Sequence, residues 1–282
     1  MLNRLLTEFY TVRCPMFINH SFDPNSYKDS FTPCPVRNRV RVIDYPVTAL
    51  SLDQQTDLIL RWAQQRSSRY VCVANVHMLM EAHNHDSMSK VLEGADLVTP
   101  DGMPLVWMMR MLGIKQQERV CGVDILVDLC QKASNLKQSV YFLGSDQFTL
   151  GKMRDRLEVE FPNLQVAAYH PLPFRPLSEA EDAELIEQIN ASGAGIVFVS
   201  LGCPKQERWM AAHRDKINAV MIGLGGAFPV YAGLQKRAPE LVRNGGLEWA
   251  YRLAKEPKRL WNRYASTIPP FAYLALKQLT SE

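Results

Sequence analysis

Asp101 is the side chain of this 282-residue sequence that is best placed to do chemistry. It follows the apolar run 95–100 (ADLVTP), which is typical of a strand, and it precedes Gly102 and a helix-like segment. A carboxylate at that point could accept the proton of an attacking hydroxyl group and act as a general base. An Asp-Gly pair is also typical of a turn or a helix cap, and taken alone the residues favour the turn.

Two further strand-like runs end in polar side chains. Asn75 ends the apolar run 70–75, where its amide could bind a sugar hydroxyl or a uracil edge, although a helix cap is the favoured interpretation. Lys205 and Gln206 lie in the segment 201–208 (LGCPKQER), at an expected helix start. Free backbone N–H groups and a lysine there would suit phosphate or sugar oxygens, and a solvated helix start explains the same residues equally well.

Two adjacent glycines, Gly225 and Gly226, follow the last apolar run, within the segment 223–228 (GLGGAF). They would let a pyrophosphate group approach the backbone closely, and a plain turn is the alternative. The segment is not GxGxxG, and no suitably spaced acidic residue follows it, which argues against a dinucleotide site. The sequence also lacks Asp-x-Asp, so we predict no metal and no cofactor, with neutralisation by cations and backbone N–H groups.

Positive charge is concentrated near the C-terminal end of the sequence. Residues 235–264 contain eight Lys or Arg and three Glu, a local net charge of +5 in a chain whose total is +3. Arginines alternate there with Trp and Tyr, which suits an anionic membrane surface, a nucleic-acid groove or a solvated basic helix. The apolar stretch 268–276 (IPPFAYLAL) favours the membrane, because it could enter an interface but is too short to span a bilayer.

The candidate residues are separated by alternating strand-like and helix-sized segments. That alternation predicts an α/β fold, a Rossmann-like parallel sheet flanked by helices, with a helical basic C-terminal appendage. We divide the chain into an irregular leader (1–38), a core (39–233) and the appendage (234–282). Residues 39–47 alternate like one strand, and capping boxes are expected at Ser51 and Ser178.

The composition and the N-terminal residues indicate the cellular compartment of the protein. The sequence has no uninterrupted apolar run of about 18 residues, and its start lacks the features of a signal peptide. The six cysteines are scattered without a CxxC pair, which suits reduced, mostly buried thiols. We therefore expect a cytoplasmic protein.

Eight segments, in their order and spacing, resemble the WecG/TagA/CpsF family of glycosyltransferases (glycosyltransferase family 26). They are VANVHML (73–79), ADLVTPDGMPLV (95–106), RVCGVD (119–124), VYFLGS (140–145), VSLGCPKQERW (199–209), GLGGAF (223–228), KRAPE (236–240) and GLEWAYRLAKEPKRLWNRY (246–264). The resemblance covers about residues 40–265.

This resemblance implies an inverting enzyme that needs no metal. Its donor would be a UDP-sugar and its acceptor a polyprenyl-diphosphate-linked sugar, in exopolysaccharide or cell-envelope glycan synthesis. Asp101 matches the catalytic base, and Asn75 and Gln206 match donor-site residues. Arg252, Arg259 and Arg263 fall in the appendage, which would close over the site and dock peripherally on the inner face of the plasma membrane.

The predicted site therefore joins one catalytic carboxylate to a larger binding set. The binding residues are Asn75, Gly102, Lys205, Gln206, Gly225, Gly226, Arg237, Arg252, Arg259 and Arg263. Val73 stands where family members often have Thr, so a hydroxyl near the sugar is lost and the donor sugar is left open. The predicted partners are the UDP-sugar, the lipid-linked acceptor and the membrane surface, without nucleic acid, and the oligomeric state is open to a homo-oligomer. The alternatives are a nucleotide-dependent oxidoreductase and a nucleic-acid-binding module.

Overall fold

The computed structural model describes residues 38–281, except the side chains of residues 244 and 259. The predicted leader, residues 1–38, thus lies outside the described residues but for its last position. The described residues belong to one compact unit.

A six-stranded parallel sheet forms the centre of the fold, and a two-stranded antiparallel hairpin forms a separate sheet whose second strand contacts the edge of the first. Along the chain, the strands of the described part are β1 Arg39–Val42, β2 Tyr45–Thr48, β3 Arg69–Ala74, β4 Leu97–Pro100, β5 Val140–Gly144, β6 Val166–His170, β7 Ile196–Ser200 and β8 Val220–Gly223. The spatial order of the large sheet is β4-β3-β8-β7-β5-β6, with β1 paired to β2 in the hairpin. Strands β4, β3, β8 and β7 are therefore neighbours, and their carboxyl ends lie at one edge of the sheet.

Helices follow most of the strands and cover both faces of the sheet. In the described residues they are α1 Leu52–Gln64, α2 Val76–Asn84, α3 Asp86–Gly94, α4 Met103–Met111, α5 Gly122–Leu136, α6 Gln147–Glu160, α7 Glu179–Ala191, α8 Lys205–Ala212, α9 Ala227–Tyr231, α10 Glu240–Asn244, α11 Glu248–Lys255 and α12 Pro257–Ser281. One buried cluster packs α2, α3, α4, α7, α8 and α12 on the sheet, and a second packs α1, α5, α6 and α9 on it. Burial on both faces explains why the strands read as continuous apolar runs.

The predicted α/β class and parallel sheet are confirmed. Both capping boxes are present: Ser51 and Ser178 each accept a hydrogen bond from the backbone N–H three residues later. The prediction of one strand over 39–47 is wrong, because Ile43 and Asp44 have φ values of 43° and 74° and turn the chain into the β1–β2 hairpin. The apolar positions shift by one residue at that turn, since Val42 and Ile43 are consecutive, and this shift was the signal in the sequence.

The C-terminal helix α12 packs along α2 and reaches the hairpin. Near its end, Gln278 Nε2 donates to the Arg41 carbonyl oxygen at 2.8 Å, and Gln278 Oε1 accepts from the Ile43 N–H at 2.8 Å. Two prolines, Pro269 and Pro270, lie inside the helix. None of the helices over residues 38–281 combines the length and apolar character needed to cross a bilayer.

We expect Gln278→Ala to lower the free energy of unfolding by about 1–2 kcal/mol, because it removes two hydrogen bonds that join α12 to the hairpin. Urea unfolding of the full chain measures this. The neighbouring exposed variant Lys277→Ala is the control and should leave the stability within about 0.5 kcal/mol of the parent. Equal effects of the two substitutions would contradict the assignment.

Candidate active site

The predicted site residues meet at the carboxyl edge of β4, β3, β8 and β7. The Asp101 N–H donates to the carbonyl oxygen of Ala74 at 2.8 Å, which holds the residue after β4 beside the end of β3. The loop after β7 contains Gly202, whose N–H donates to Gln206 Oε1 at 3.2 Å. Ligands of open parallel sheets bind at this edge.

A polar cavity of about 710 Å³ opens at this edge. Among the predicted site residues, its walls contain Asn75, Asp101, Gln206, Gly225, Gly226, Arg237, Arg252 and Arg263. The structure thus brings strand-end residues and C-terminal arginines around one space. We call this space the polar cavity.

Asp101 is half-buried, and among residues 38–281 its carboxylate has no hydrogen-bond donor. Burial raises its pKa to about 7, mainly because the charged form loses solvation. The charges of Arg119 and Arg252 lower the pKa, whereas Glu248 and Asp124 raise it. Asp101 is also not the helix cap: that position belongs to Gly102, so the side chain is free to act in the cavity.

Asn75 combines the two roles that the sequence left open. It is the N-cap of α2, where Oδ1 accepts from the Met78 N–H at 3.2 Å. Its amide NH₂ group has no hydrogen-bond acceptor in the described part of the chain, and the residue lines the polar cavity. The cap fixes the side chain while leaving two N–H donors for a ligand.

Gln206 is buried and supports the glycine turn. Its Nε2 donates to Glu207 Oε1 at 2.7 Å, and its Oε1 accepts from Gly202. A Cβ on Gly223 would lie 2.9 Å from Gln206 Nε2, and one on Gly225, where φ is +44°, would lie 3.1 Å from Oε1. The Gln206 amide thus occupies the space that a Cβ at either position would need, which explains why both positions are glycine.

Some arginines of the site already pair with a carboxylate of the protein, and others do not. Arg237 pairs with Asp124 at 2.6 Å and also approaches the Cys121 sulfur at 3.0 Å. Arg119 pairs with Glu248 at 2.6 Å, which joins the segment before α5 to α11. Arg252 and Arg263 carry no ion pair with any described residue.

Three predicted residues lie elsewhere. Lys205 is exposed and lines neither this cavity nor the one described next. Gly102 lies outside the polar cavity, in the wall of the second. Arg259 belongs to α12, and its side chain falls outside the described set.

A second cavity of about 560 Å³ lies between α4 and α12 and is mostly apolar. It shares six lining residues with the polar cavity, namely Asn75, His77, Asp101, Glu248, Arg252 and Arg263. We call this second space the apolar groove. Asp101 therefore lies in the wall between a polar and an apolar compartment.

Sequence reasoning missed three residues that shape the site: His77, Arg119 and Glu248. Arg119 and Glu248 do not follow a strand, so a search of strand ends does not find them. Both residues lie in segments that carry the family resemblance, 119–124 and 246–264. That resemblance was the one signal in the sequence that could have indicated them. Over the described residues, no group of three or more His, Cys, Asp or Glu side chains is arranged to hold a metal ion.

A parallel sheet whose strand ends open onto a weakly acidic carboxylate and several cations is typical of α/β enzymes that bind nucleotide ligands. Comparison with known proteins gives the particular group. The Glycosyl transferase WecG/TagA/CpsF family model matches residues 40–282, and the chain belongs to this family. It is a glycosyltransferase, which excludes the oxidoreductase alternative.

Three relatives share the printed name N-acetylglucosaminyldiphosphoundecaprenol N-acetyl-beta-D-mannosaminyltransferase. The one from Bacillus spizizenii is 31% identical over 85% of this chain and 90% of its own length. That from Bacillus subtilis is 31% identical over 77% of this chain and 82% of its own. That from Staphylococcus aureus is 28% identical over 76% and 82%, respectively.

We expect Asp101→Asn to stabilise the folded chain at alkaline pH by on the order of 1–2 kcal/mol, after allowance for partial exposure. The folded pKa of about 7 exceeds the ordinary value of 3.8. Ionisation of Asp101 therefore favours the unfolded chain, and the folded chain loses stability as pH rises from about 4 to about 7. Urea unfolding at pH 4 and pH 8 measures the difference.

At pH 4 both side chains are neutral and the variant should match the parent. Asp155 is exposed and lies 3.5 Å from Arg154, so Asp155→Asn is the control. This variant should show no pH-dependent gain in the free energy of unfolding. A variant that is less stable than the parent at pH 8 would show that the carboxylate is better solvated than its surroundings indicate.

Proposed function

We propose that the chain transfers a hexose or N-acetylhexosamine-type sugar from a UDP-sugar to a polyprenyl-diphosphate-linked acceptor, with inversion at the anomeric carbon. The product belongs to exopolysaccharide or cell-envelope glycan synthesis. One observation carries the proposal: Asp101, with a pKa of about 7, lies between the polar cavity and the apolar groove. The donor occupies the first and the lipid-linked acceptor approaches from the second.

Asp101 is the general base of the proposed reaction. At neutral pH a carboxyl group with a pKa of about 7 is ionised in about half of the molecules and is far more basic than an ordinary aspartate. Its oxygens have no hydrogen-bond donors among residues 38–281, so they are free to take the proton of the acceptor hydroxyl. The resulting nucleophile attacks the anomeric carbon from the face opposite the leaving UDP.

The leaving diphosphate gains negative charge as the glycosidic bond to UDP breaks. Gly226 lines the polar cavity together with Lys236 and Arg237, and its N–H has no acceptor in the described part of the chain. Fixed donors and cations in a half-enclosed space stabilise such a charge better than water does, because they need not reorganise. These groups would hold the diphosphate without a metal ion.

The acceptor class follows from the relatives. Their shared name describes transfer to N-acetylglucosaminyldiphosphoundecaprenol, a sugar on a lipid diphosphate. The relative from Bacillus spizizenii is 31% identical over 85% of this chain, and the family model covers residues 40–282, which include the segments that form the site. This supports the same acceptor class here. The sugar donated is left open, since Val73 lines the polar cavity and has no hydroxyl group.

We expect Asp101→Asn to reduce transfer about 10²- to 10⁴-fold, because the amide cannot accept the proton. In the parent, kcat/KM should rise with pH through about 7, the pKa of the free base. Radiolabelled transfer to N-acetylglucosaminyl diphosphoundecaprenol in detergent measures both, with Asp155→Asn as the control. Near-parent turnover by Asp101→Asn would refute the assignment.

Arg119→Gln provides a sharper test of the same base. Arg119 lowers the pKa of Asp101, and its loss also leaves Glu248 unpaired nearby. Both changes raise the pKa of Asp101. The pH at which kcat/KM rises should therefore be higher in the variant than in the parent. A shift to lower pH would contradict this electrostatic account.

The donor is identified by thermal-shift measurements with a panel of UDP-sugars. We expect one UDP-sugar, and UDP itself, to raise the Tm, whereas NAD should not. Binding of NAD without binding of any uridine nucleotide would contradict the proposal. Bound donors are then offered with acceptor to name the sugar transferred.

We further propose that the protein is cytoplasmic and binds the inner face of the plasma membrane through its C-terminal helices. Large apolar side chains are exposed there beside the excess of basic residues: Leu241 is 87% exposed and Trp261 62% exposed. Such residues enter the interface while basic side chains contact lipid phosphates.

We expect flotation with vesicles of anionic phosphatidylglycerol to retain the parent protein, and Leu241→Ser with Trp261→Ser to reduce retention at least threefold. Phe174→Ser is the matched control, since this side chain is 96% exposed but lies outside the C-terminal helices. Equal loss for the control, or retention by the double variant, would contradict docking through these helices. Neutral vesicles should bind less, because the basic residues then lack a partner.

A further inference from the structure

We propose that the apolar groove binds the polyprenyl chain of the acceptor next to its diphosphate, so that the lipid itself is recognised by the protein. The inference rests on the proposed function and adds a second substrate site to it. The groove is defined here by Met103, Trp107 and Met111 of α4 together with Ile268, Ala272 and Leu276 of α12.

The chemistry of the groove suits a hydrocarbon chain. Its walls are aliphatic, aromatic and thioether groups, and three of them are largely open to solvent: Trp107 is 42%, Met111 58% and Leu276 64% exposed. Exposed apolar surface of this kind is energetically unfavourable in water and marks a binding site when it is contiguous. Covering it with an isoprenoid removes apolar area from water on both partners.

The length of the groove also suits a chain rather than a compact ligand. Lining residues recur along one face of α12 from Tyr264 to Leu279. These 15 steps span about 22 Å at the rise of an α-helix. The space is thus elongated and runs away from the catalytic carboxylate, as several extended isoprene units would.

The polar end of the groove identifies which lipid fits. His77, Asp101, Arg252 and Arg263 line both the groove and the polar cavity, so any occupant of the groove is continuous with the reacting centre. An acceptor sugar beside Asp101 would be followed by its diphosphate near the two arginines and then by the chain in the groove. A protein helix in the groove would not place a reactive hydroxyl at Asp101.

His77 also lines both spaces at the junction. Its Nδ1 is buried, has no hydrogen-bond partner among the described residues and lies 3.9 Å from a Glu81 carboxylate oxygen. The side chain as a whole is 19% exposed. An acceptor at the junction would therefore contact the exposed part of the imidazole ring and not Nδ1.

The test fills the groove without touching the polar cavity. Ala272 is exposed on the groove face of α12, so Ala272→Trp places an indole in the path of the chain. Ser266→Trp adds the same side chain to an exposed position of the same helix that lines neither cavity. Transfer is measured in detergent with N-acetylglucosaminyl diphosphate carried on undecaprenol and on an octyl chain.

We expect Ala272→Trp to raise the KM for the undecaprenyl acceptor at least tenfold, while the KM for the donor and the kcat/KM for the octyl acceptor stay within twofold of the parent. The parent should prefer the long chain, and Ser266→Trp should behave like the parent. Equal kcat/KM of the parent for both chains, or an unchanged KM of Ala272→Trp, would overturn the groove assignment while leaving the transferase activity in place.

A parent that transfers no sugar to either acceptor would instead contradict the proposed function. Direct binding then decides the groove separately: Ala272→Trp should lose, and Ser266→Trp should keep, the rise in Tm that undecaprenyl phosphate gives the parent in the absence of donor. Equal rises for both variants would overturn the proposal. A similar rise with octyl phosphate would show binding of the phosphate alone and would overturn it too.

Discussion

The proposed mechanism depends on the solvation of one carboxylate, that of Asp101. Asp101 is withdrawn from water without receiving hydrogen bonds from the described residues, so burial raises its pKa to about 7. Two arginines then limit the shift, and two other carboxylates partly cancel the arginines. The residue is consequently basic enough to accept a proton and still ionised at neutral pH. The charges that set this balance lie on α5, on α11 and in the segment before α5.

The proposed donor site depends on the conformation of the backbone at the strand ends as much as on its side chains. Gln206 is buried and uses both ends of its amide inside the protein. It supports the turn at Gly223 and Gly225, where a side chain would collide with it. Asn75 likewise uses its side-chain oxygen to cap α2. Side chains that first look like ligand contacts therefore also hold the strand ends in place, and the surfaces left to a ligand are mainly N–H groups and cations.

Periodicity was sufficient to predict the class of fold and the edge of the sheet at which the site lies. It placed Asn75, Asp101 and Gln206 at strand ends, and these residues do meet. It could not find Arg119 or Glu248, because their pairing depends on how the last helices fold back across the sheet. It also favoured a turn for Asp101, since local sequence does not report whether a carboxylate faces solvent or a cavity. The β1–β2 turn was missed because the shift in alternation between Val42 and Ile43 was not recognised as the end of a strand.

The two consecutive prolines of α12 have a consequence for how deeply that helix can sit in lipid. Pro269 and Pro270 have no N–H to offer, so the carbonyl oxygens of Ala265 and Ser266 lack the usual donor four residues later. Such oxygens are costly in hydrocarbon, where no water can satisfy them. If α12 docks on a bilayer as proposed, its middle would stay in the hydrated headgroup layer, and the two prolines would set the limit of its depth.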